Sequence, residues 1–562
     1  MERLISLAEE PARQPGSVGA KAAGLARALE AGFPVLGGWV VPCAESAVAI
    51  RAGVEALDRS GPSAATLAIS DGRLDPALDR DLGRVGSLLE GTLVVRSSTP
   101  LDEDGRWSGA FATYHDVDPE HLPVGVRGCW ASAFTKDVIE RSVAAGVAPD
   151  ALRIGVLLQP WVRFDAGGTA RLEPDGRVSI AATAAGPDTL VSGRRSGVLA
   201  EVSADGTVHM GAGLDGLTPR WAIEAGRLVR DLASTIDADA IEWGWADDGI
   251  LLLQARRLPV PSASPAPSIT TITSRAMPQG AERLAATVRR YPAPLGDELV
   301  IPWVYAALDV PEARAIPTPD PVAALAEARS LADGLTGQVW RSPPHVAFRA
   351  AEARARSLLG AEPEAWPASL SERCDPPHPG TVRRILGLVE GIGEALEQTG
   401  VLPDARLVWR LSVRELERAA REGSRPPIRR GPDRWEPFVV DVVRWAGAAS
   451  EGTAVCPGIG AGIVSVVDGS VSATPGPRAV LAVSQPLPQL APLLWNSAGL
   501  VAASGSPGAH LFEVARSLGV PAVVGVHLAG LDGALATVDG CNGIVTVTDP
   551  ARSSTRIGGV GA

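Results

Sequence analysis

The chain has 562 residues, a formal net charge of −12 and 46% hydrophobic residues, with a sequence pI near 5.3. At roughly 100–200 residues per domain, that length allows three or four domains, each able to bury a core. The acidic balance argues against nucleic acid, whose recognition needs a basic footprint. The start lacks a basic leader with a long apolar core, and no apolar run of about 18 residues occurs, so no membrane attachment is expected. Five cysteines, at 43, 129, 374, 456 and 541, are scattered without a Cys-x-x-Cys spacing. Neither a zinc site nor a disulfide framework is therefore expected, and the chain reads as soluble and cytoplasmic. Lys21 and Lys136 are the only lysines among 52 basic residues, so each is a candidate for a role that arginine cannot fill.

From the N-terminus, Gly19-Ala20-Lys21-Ala22-Ala23-Gly24-Leu25 through Leu29 reads as a helix after a Gly-containing turn. It leads through Gly32-Phe33-Pro34-Val35 into an apolar strand, Gly38-Trp39-Val40-Val41-Pro42. A compact ammonium among small residues can approach a polyphosphate as a point charge, where a guanidinium fits less well. A solvated surface lysine has the same pattern. Leu93-Val94-Val95-Arg96-Ser97-Ser98 reads as a buried strand ending in a polar cluster. An acidic turn, Asp102-Glu103-Asp104, follows it, then Trp107-Ser108-Gly109-Ala110-Phe111-Ala112-Thr113-Tyr114. Gln159 is the polar residue of the apolar run Gly155–Val162, and Cys129 reads as an inert core residue. Ala240–Trp245 and Ile250–Arg257 flank Asp247-Asp248-Gly249, and an Asp-Gly between two apolar runs signals a hairpin. Glu242, Gln254 and Arg256 would project at its strand ends, where Glu242 and Arg256 could also form a structural salt bridge.

A Pro/Ser/Ala-rich stretch from Leu258 to Pro267 reads as a semi-extended linker. Residues from about 270 to 430 are helical by pattern. In one helix, Val382 to Gln398, the residues Ile385, Leu388, Val389, Ile392 and Leu396 share a face. Trp303, Trp340, Trp366, Trp409, Trp435 and Trp445 read as core, with one or two able to line an apolar pocket. His345 and His378 sit in Pro-rich loops and read as surface residues rather than bases. A second linker, Arg425-Pro426-Pro427 to Pro432, precedes a last domain that begins around Gly452 and contains the strand Gly462–Val467.

The most informative stretch is Gly505-Ser506-Pro507-Gly508-Ala509-His510-Leu511-Phe512-Glu513-Val514-Ala515-Arg516, running into Gly519-Val520-Pro521-Ala522-Val523-Val524-Gly525. A tight loop hands over to a short helix opened by His510 and ended by Gly519. An imidazole beside unpaired N–H groups and the positive helix end suits a negatively charged phosphoryl group. A packed histidine before a buried strand has the same spacing. Arg516 could return toward the phosphate or pin the helix by an ion pair.

This segment resembles the phosphohistidine domain of the phosphoenolpyruvate-utilising superfamily, which includes pyruvate phosphate dikinase, phosphoenolpyruvate synthase and rifampicin phosphotransferase. His510, Arg516 and Gly519–Gly525 fall in the family's places. The N-terminal motifs resemble the superfamily's ATP-grasp domain: its Gly-x-Lys opening, its Val-Arg-Ser-Ser strand, and its Phe-Ala-Gly-Gln-x-x-Thr-Tyr loop. Leu407–Leu416 resembles a segment of rifampicin phosphotransferase-like proteins. The chain departs from the family at Ala509 (usually Ser or Thr), Ala110 (usually Gln) and Ala181 (usually Glu, unless Asp188 substitutes).

The resemblance implies an α/β multidomain protein. An ATP-grasp domain of two subdomains (1–257) and a linker (258–270) would precede a helical acceptor domain (271–430). A second linker (431–451) and a swivelling phosphohistidine domain (452–562) would follow, without the phosphoenolpyruvate-handling barrel. It implies that Lys21, Arg96, Gly109, Thr113, Gln159 and Arg256 bind ATP and that Glu242 and Gln254 hold Mg2+. His510, with Arg516, would take the β-phosphate, release AMP and phosphate, and pass the phosphoryl group to a small-molecule acceptor. A covalent intermediate divides one difficult transfer into easier steps, with cationic groups stabilising the charge. Two alternatives stay open: a condensing or dehydrating enzyme similar to prodiginine ligases, and a non-catalytic nucleotide-binding regulator suggested by the three alanines. The sequence sets neither acceptor nor oligomeric state.

Overall fold

A computed structural model describes residues 3–89, 91–211, 219–258, 314–339, 379–428, 447–467, 475–476 and 478–548, with isolated positions at 285, 289–291, 295, 436, 439–440 and 443–444. Residues 259–270 of the expected linker lie outside these, as do Trp303, Trp340, Trp366, Trp435, Trp445, His345 and His378. The described residues form a mixed α/β protein with three sheets. No helix among them is long and apolar enough to cross a membrane.

The first sheet has five antiparallel strands in the order Ile5–Ser6, Trp39–Val41, Gly155–Pro160, Leu93–Ser98 and Thr113–Val117. Alternation along the strands sends Val95, Val156 and Leu158 into a core with Ile50, Leu82, Val126 and Phe134. Arg96, between Val95 and Ser97, is left for the opposite face. The second sheet has six antiparallel strands: Gly249–Arg256, Ala240–Ala246, Ala166–Leu172, Val178–Thr183, Val198–Val202 and Val208–Met210. Ile241, Trp243, Ala170 and Ile180 pack on Leu25 and on Val229 and Leu232 of the helices Ala20–Glu30 and Pro219–Ile236. The period of two puts Glu242 on the other face. There the cross-strand register lines up Gln254, Glu242, Thr169, Ala181 and Leu199 in one row.

The hairpin signal holds, but its turn is one residue earlier than the Asp-Gly pair suggests. Asp247 and Asp248 take the two left-handed positions, at φ 50° and 60°, and Gly249 opens the returning strand opposite Ala246. Aspartate tolerates that backbone region, so glycine is not required there.

In the middle of the chain, Pro321–Val339, Pro379–Gln398 and Val413–Glu422 are helical. Ile385, Leu388, Val389, Ile392 and Leu396 share one core with Trp409. The stretch expected as a second linker is partly structured. Glu436, Val439, Val440, Val443 and Arg444 are helical, and Glu436 and the three valines are buried. Their i, i+3, i+4, i+7 spacing puts three valines and one carboxylate on a single buried stripe.

The third sheet has eight strands, in the order Ala448–Glu451, Ile544–Val547, Leu535–Asp539, Ile459–Val467, Ala479–Val483, Ser497–Ala502, Ala522–Val524 and Thr453–Cys456. Its centre is parallel. Ala479–Val483 and Ser497–Ala502 are accordingly buried throughout and, Ser497 apart, apolar. The helix His510–Ser517 is the crossover between Ser497–Ala502 and Ala522–Val524. His510 thus stands beyond the carboxyl end of a parallel strand, where α/β sheets usually place their sites.

Candidate active site between the N-terminal sheets and the His510 helix

The N-terminal side begins with helix Ala20–Glu30, which carries Lys21 on its first turn. Lys21 Nζ lies 3.3 Å from Asp102 Oδ2. That carboxylate also closes a capping box with Thr99, while its Oδ1 is buried without a partner. Arg96 crosses between the two sheets. Its Nη1 donates to the Leu253 carbonyl at 2.8 Å, and its Nη2 lies 3.5 Å from Glu242 Oε2. Glu242 is 6% exposed, and its Oε1 also lacks a partner. Burial opposes its charge, but Arg96, with Arg256 and Lys21 behind it, outweighs burial and holds the carboxyl below the usual glutamate range. Lys21, Asp102, Gln254 and Arg256 line one cavity of about 300 Å3.

Against this surface sits the His510 helix. The His510 ring packs on the 105–112 loop, where Gly109 takes φ 66°. A Cβ on Gly109 would lie 2.8 Å from His510 Cδ2, so only glycine allows the approach. On the other side, a Cβ on Gly508 would fall 2.1 Å from Thr169 Oγ1. His510 Nδ1 is 2.8 Å from Ser108 Oγ and 3.3 Å from Glu513 Oε2. The Ser108 hydroxyl also donates to Glu513, whose other oxygen pairs with Arg256. Arg141, fully buried, holds the loop from below by donating to the Arg106 and Ser108 carbonyls at 3.2 and 2.9 Å. It also grips Asp137 and the Pro488 carbonyl.

Burial pushes His510 down to about 3. Glu242 resists that shift, and Arg256, Lys21 and Arg141 add to it. The docked ring is therefore neutral near pH 7, and its contact with Glu513 is a hydrogen bond rather than an ion pair. No side chain caps the helix N-terminus, where Ala509 stands.

The other expected site residues are arranged differently. Arg516 donates to the Val455 carbonyl at 2.6 Å and pins the helix to strand Thr453–Cys456, by a backbone contact rather than an ion pair. Burial and then Arg171 lower it to about 10, so it stays charged. With Arg171 and Arg256 it faces a groove of about 730 Å3. Gln159 is buried and spends its amide on the Leu36 carbonyl at 2.7 Å. Thr113 is the exposed cross-strand partner of Arg96. Asp188 points to His115, 3.5 Å away, and is largely exposed. Cys129 is inert as read, since burial raises its thiol to about 12.

Ser108, Glu513 and Arg141 join the site without having been singled out. A carboxylate three residues after His510 on the same helix face was the available signal for Glu513.

Asp102, with an orphaned Oδ1, lines the cavity with Gln254, and Glu242, with an orphaned Oε1, is the cross-strand partner of Gln254. These oxygens are of the kind a hard divalent cation takes as ligands. Among the described residues no group of three His, Cys, Asp or Glu could hold a metal alone. A cation here would complete its shell with water or substrate oxygens.

With that geometry in view, residues 475–543 match the sequence model of the PEP-utilising enzyme mobile domain. The match spans the whole His510 helix and supports membership of the PEP-utilising superfamily, with a phosphotransferase class of activity. No curated protein matches the chain.

Proposed function

We propose that the protein is an ATP-dependent phosphotransferase of the dikinase type, in which His510 carries a phosphoryl group from an N-terminal ATP-grasp site to a small-molecule acceptor. The observation that carries this reading is the seating of a neutral His510 against Gly109, within the surface that holds Lys21, Arg96, Glu242 and Arg256. Lys21 and Arg256 border one cavity with Gln254, and the cations there suit a polyphosphate.

In this reading the Nε2 lone pair of His510 attacks the β-phosphorus, and AMP leaves with the electron pair of the broken P–O bond. Water then removes the γ-phosphate, leaving phosphohistidine. Arg96 and Arg256 orient the phosphates, and the docked domain excludes water from the ring. Glu242, Gln254 and Asp102 would hold Mg2+, which when bound neutralises phosphate charge. The domain named mobile in the family match would then carry the group away to its acceptor. A condensing enzyme would share this first half-reaction.

The test is product analysis with ATP and Mg2+, comparing the protein with His510→Ala. AMP and phosphate in equal amounts from the protein, and neither from the variant, is the expected result. ADP as the nucleotide product, or AMP formation unchanged in the variant, overturns the reading.

A further inference from the structure

Two groups meet at the ring's inner nitrogen, one from each side of the interface. Ser108 belongs to the N-terminal loop, held by Arg141 through its backbone carbonyl. Glu513 travels with His510 on one helix. Glu513, paired with Arg256, is a carboxylate and can only accept hydrogen bonds. The single Ser108 proton therefore goes to Glu513. The Ser108 oxygen then presents a lone pair to Nδ1 at 2.8 Å, so Nδ1 carries the ring proton and Nε2 is left with its lone pair. The opposite tautomer would turn the Ser108 proton toward Nδ1 and strip Glu513 of a charge-assisted bond.

We infer that Ser108 and Glu513 are positioning residues that hold His510 in the Nδ1–H tautomer while the C-terminal domain is docked, so that Nε2 is the nucleophile at the N-terminal site. This rests on the phosphohistidine reading. Nε2 forms the new N–P bond, and the β-phosphorus bond to the bridging oxygen breaks with its electron pair going to AMP. The Nδ1 proton stays in place, and Glu513 answers the positive charge that develops on the ring. Undocking removes Ser108 from the ring and leaves Nδ1 only Glu513, so the nucleophile is set at one station of the domain's travel.

The experiment is 15N spectroscopy of the full chain labelled at histidine, with the His510 signals assigned by difference from His510→Ala. The expected spectrum at pH 7.5 has a protonated Nδ1 and an unprotonated Nε2. Ser108→Ala should mix the tautomers, and Ser108→Thr should restore the original pattern. A ring protonated at Nε2, or a Ser108→Ala spectrum identical to the parent, overturns the inference. In parallel, label from β-labelled ATP should appear on His510 about tenfold to a hundredfold more slowly in Ser108→Ala and Glu513→Gln, and at near-parental rate in Ser108→Thr. Equal labelling rates in parent and Ser108→Ala sink the inference and leave the phosphohistidine reading standing. The expected tautomer with no label on any variant supports the positioning and sinks that reading instead.

Discussion

The C-terminal sheet domain meets the rest of the chain through contacts of two different kinds. At Glu436 the contact is a buried ionic cluster. Arg289, fully buried, pairs with Glu436. Arg478 Nη2 lies 3.0 Å from the same oxygen, and the Ala461 N–H donates to the other at 2.7 Å. Burial works against the Glu436 charge, but Arg289, Arg478 and that N–H hold it below the usual range. Around His510 the contact is a neutral ring, the Ser108 and Ser196 hydroxyls, one ion pair, Arg141 on the Pro488 carbonyl, and glycines that let side chains come close. The first contact holds buried charges that are costly to leave without their partners. The second releases a ring that water can solvate and a carboxylate and guanidinium that phosphate and solvent can satisfy. The first kind suits a fixed joint and the second a contact that can open.

Variants should separate the two contacts. Glu436→Ala leaves two buried guanidinium groups facing each other, and a loss of about 3–5 kcal/mol in stability is expected, read by urea unfolding. A loss under about 1 kcal/mol would show that this cluster is solvated and not a fixed joint. Gly109→Ala places a methyl against the His510 ring at a left-handed backbone position. It should abolish docking, seen as a larger radius of gyration by solution scattering. Unchanged scattering would count against the docked arrangement.

Acid should act next most strongly. His510 sits near 3 when docked, against 6.5 unperturbed. The undocked state therefore binds more protons between those values, and docking weakens as pH falls below 6.5. Glu242, held low, stays ionised at pH 5.5 and does not offset this. At pH 5.5 the docked fraction relative to the undocked should drop about tenfold, and scattering at pH 7.5 and 5.5 tests this. A docked fraction that rises in acid contradicts it. The smallest effect is expected from Arg177→Ala. Its exposed pairs with Asp175 and Glu201 should contribute under about 1 kcal/mol, so unfolding should scarcely change, whereas a large shift would make that face part of the joint.

What could be read from the sequence was local. The Lys21 helix, the Glu242–Gln254 hairpin and the His510 helix each declare themselves by spacing within some 20 residues, because caps, turns and alternation are short-range effects. Their convergence was legible only through family resemblance. Ser108 was not, since its contact with Glu513 joins positions 405 apart in the chain, and Glu513 showed only as a carboxylate one helical turn after His510. Arg141 looks like any helical arginine until its partners are known. The helical residues at 436, 439, 440, 443 and 444 were missed because their Pro-rich approach reads as linker, and Glu436 finds its charges on Arg289 and Arg478, far away in sequence. For Gln159, a lone polar residue in an apolar strand, the structure adds a partner the sequence does not show: its amide nitrogen donates to the Leu36 carbonyl.

The measurement that bears most directly on the central claim is where the β-phosphate of ATP goes. The protein, incubated with β-labelled ATP and Mg2+ without acceptor and then digested, should carry acid-labile label on the peptide containing His510, and His510→Ala should carry none. Label on another residue, or ATP bound and returned intact with no label anywhere, would contradict the account and favour a nucleotide-binding regulator.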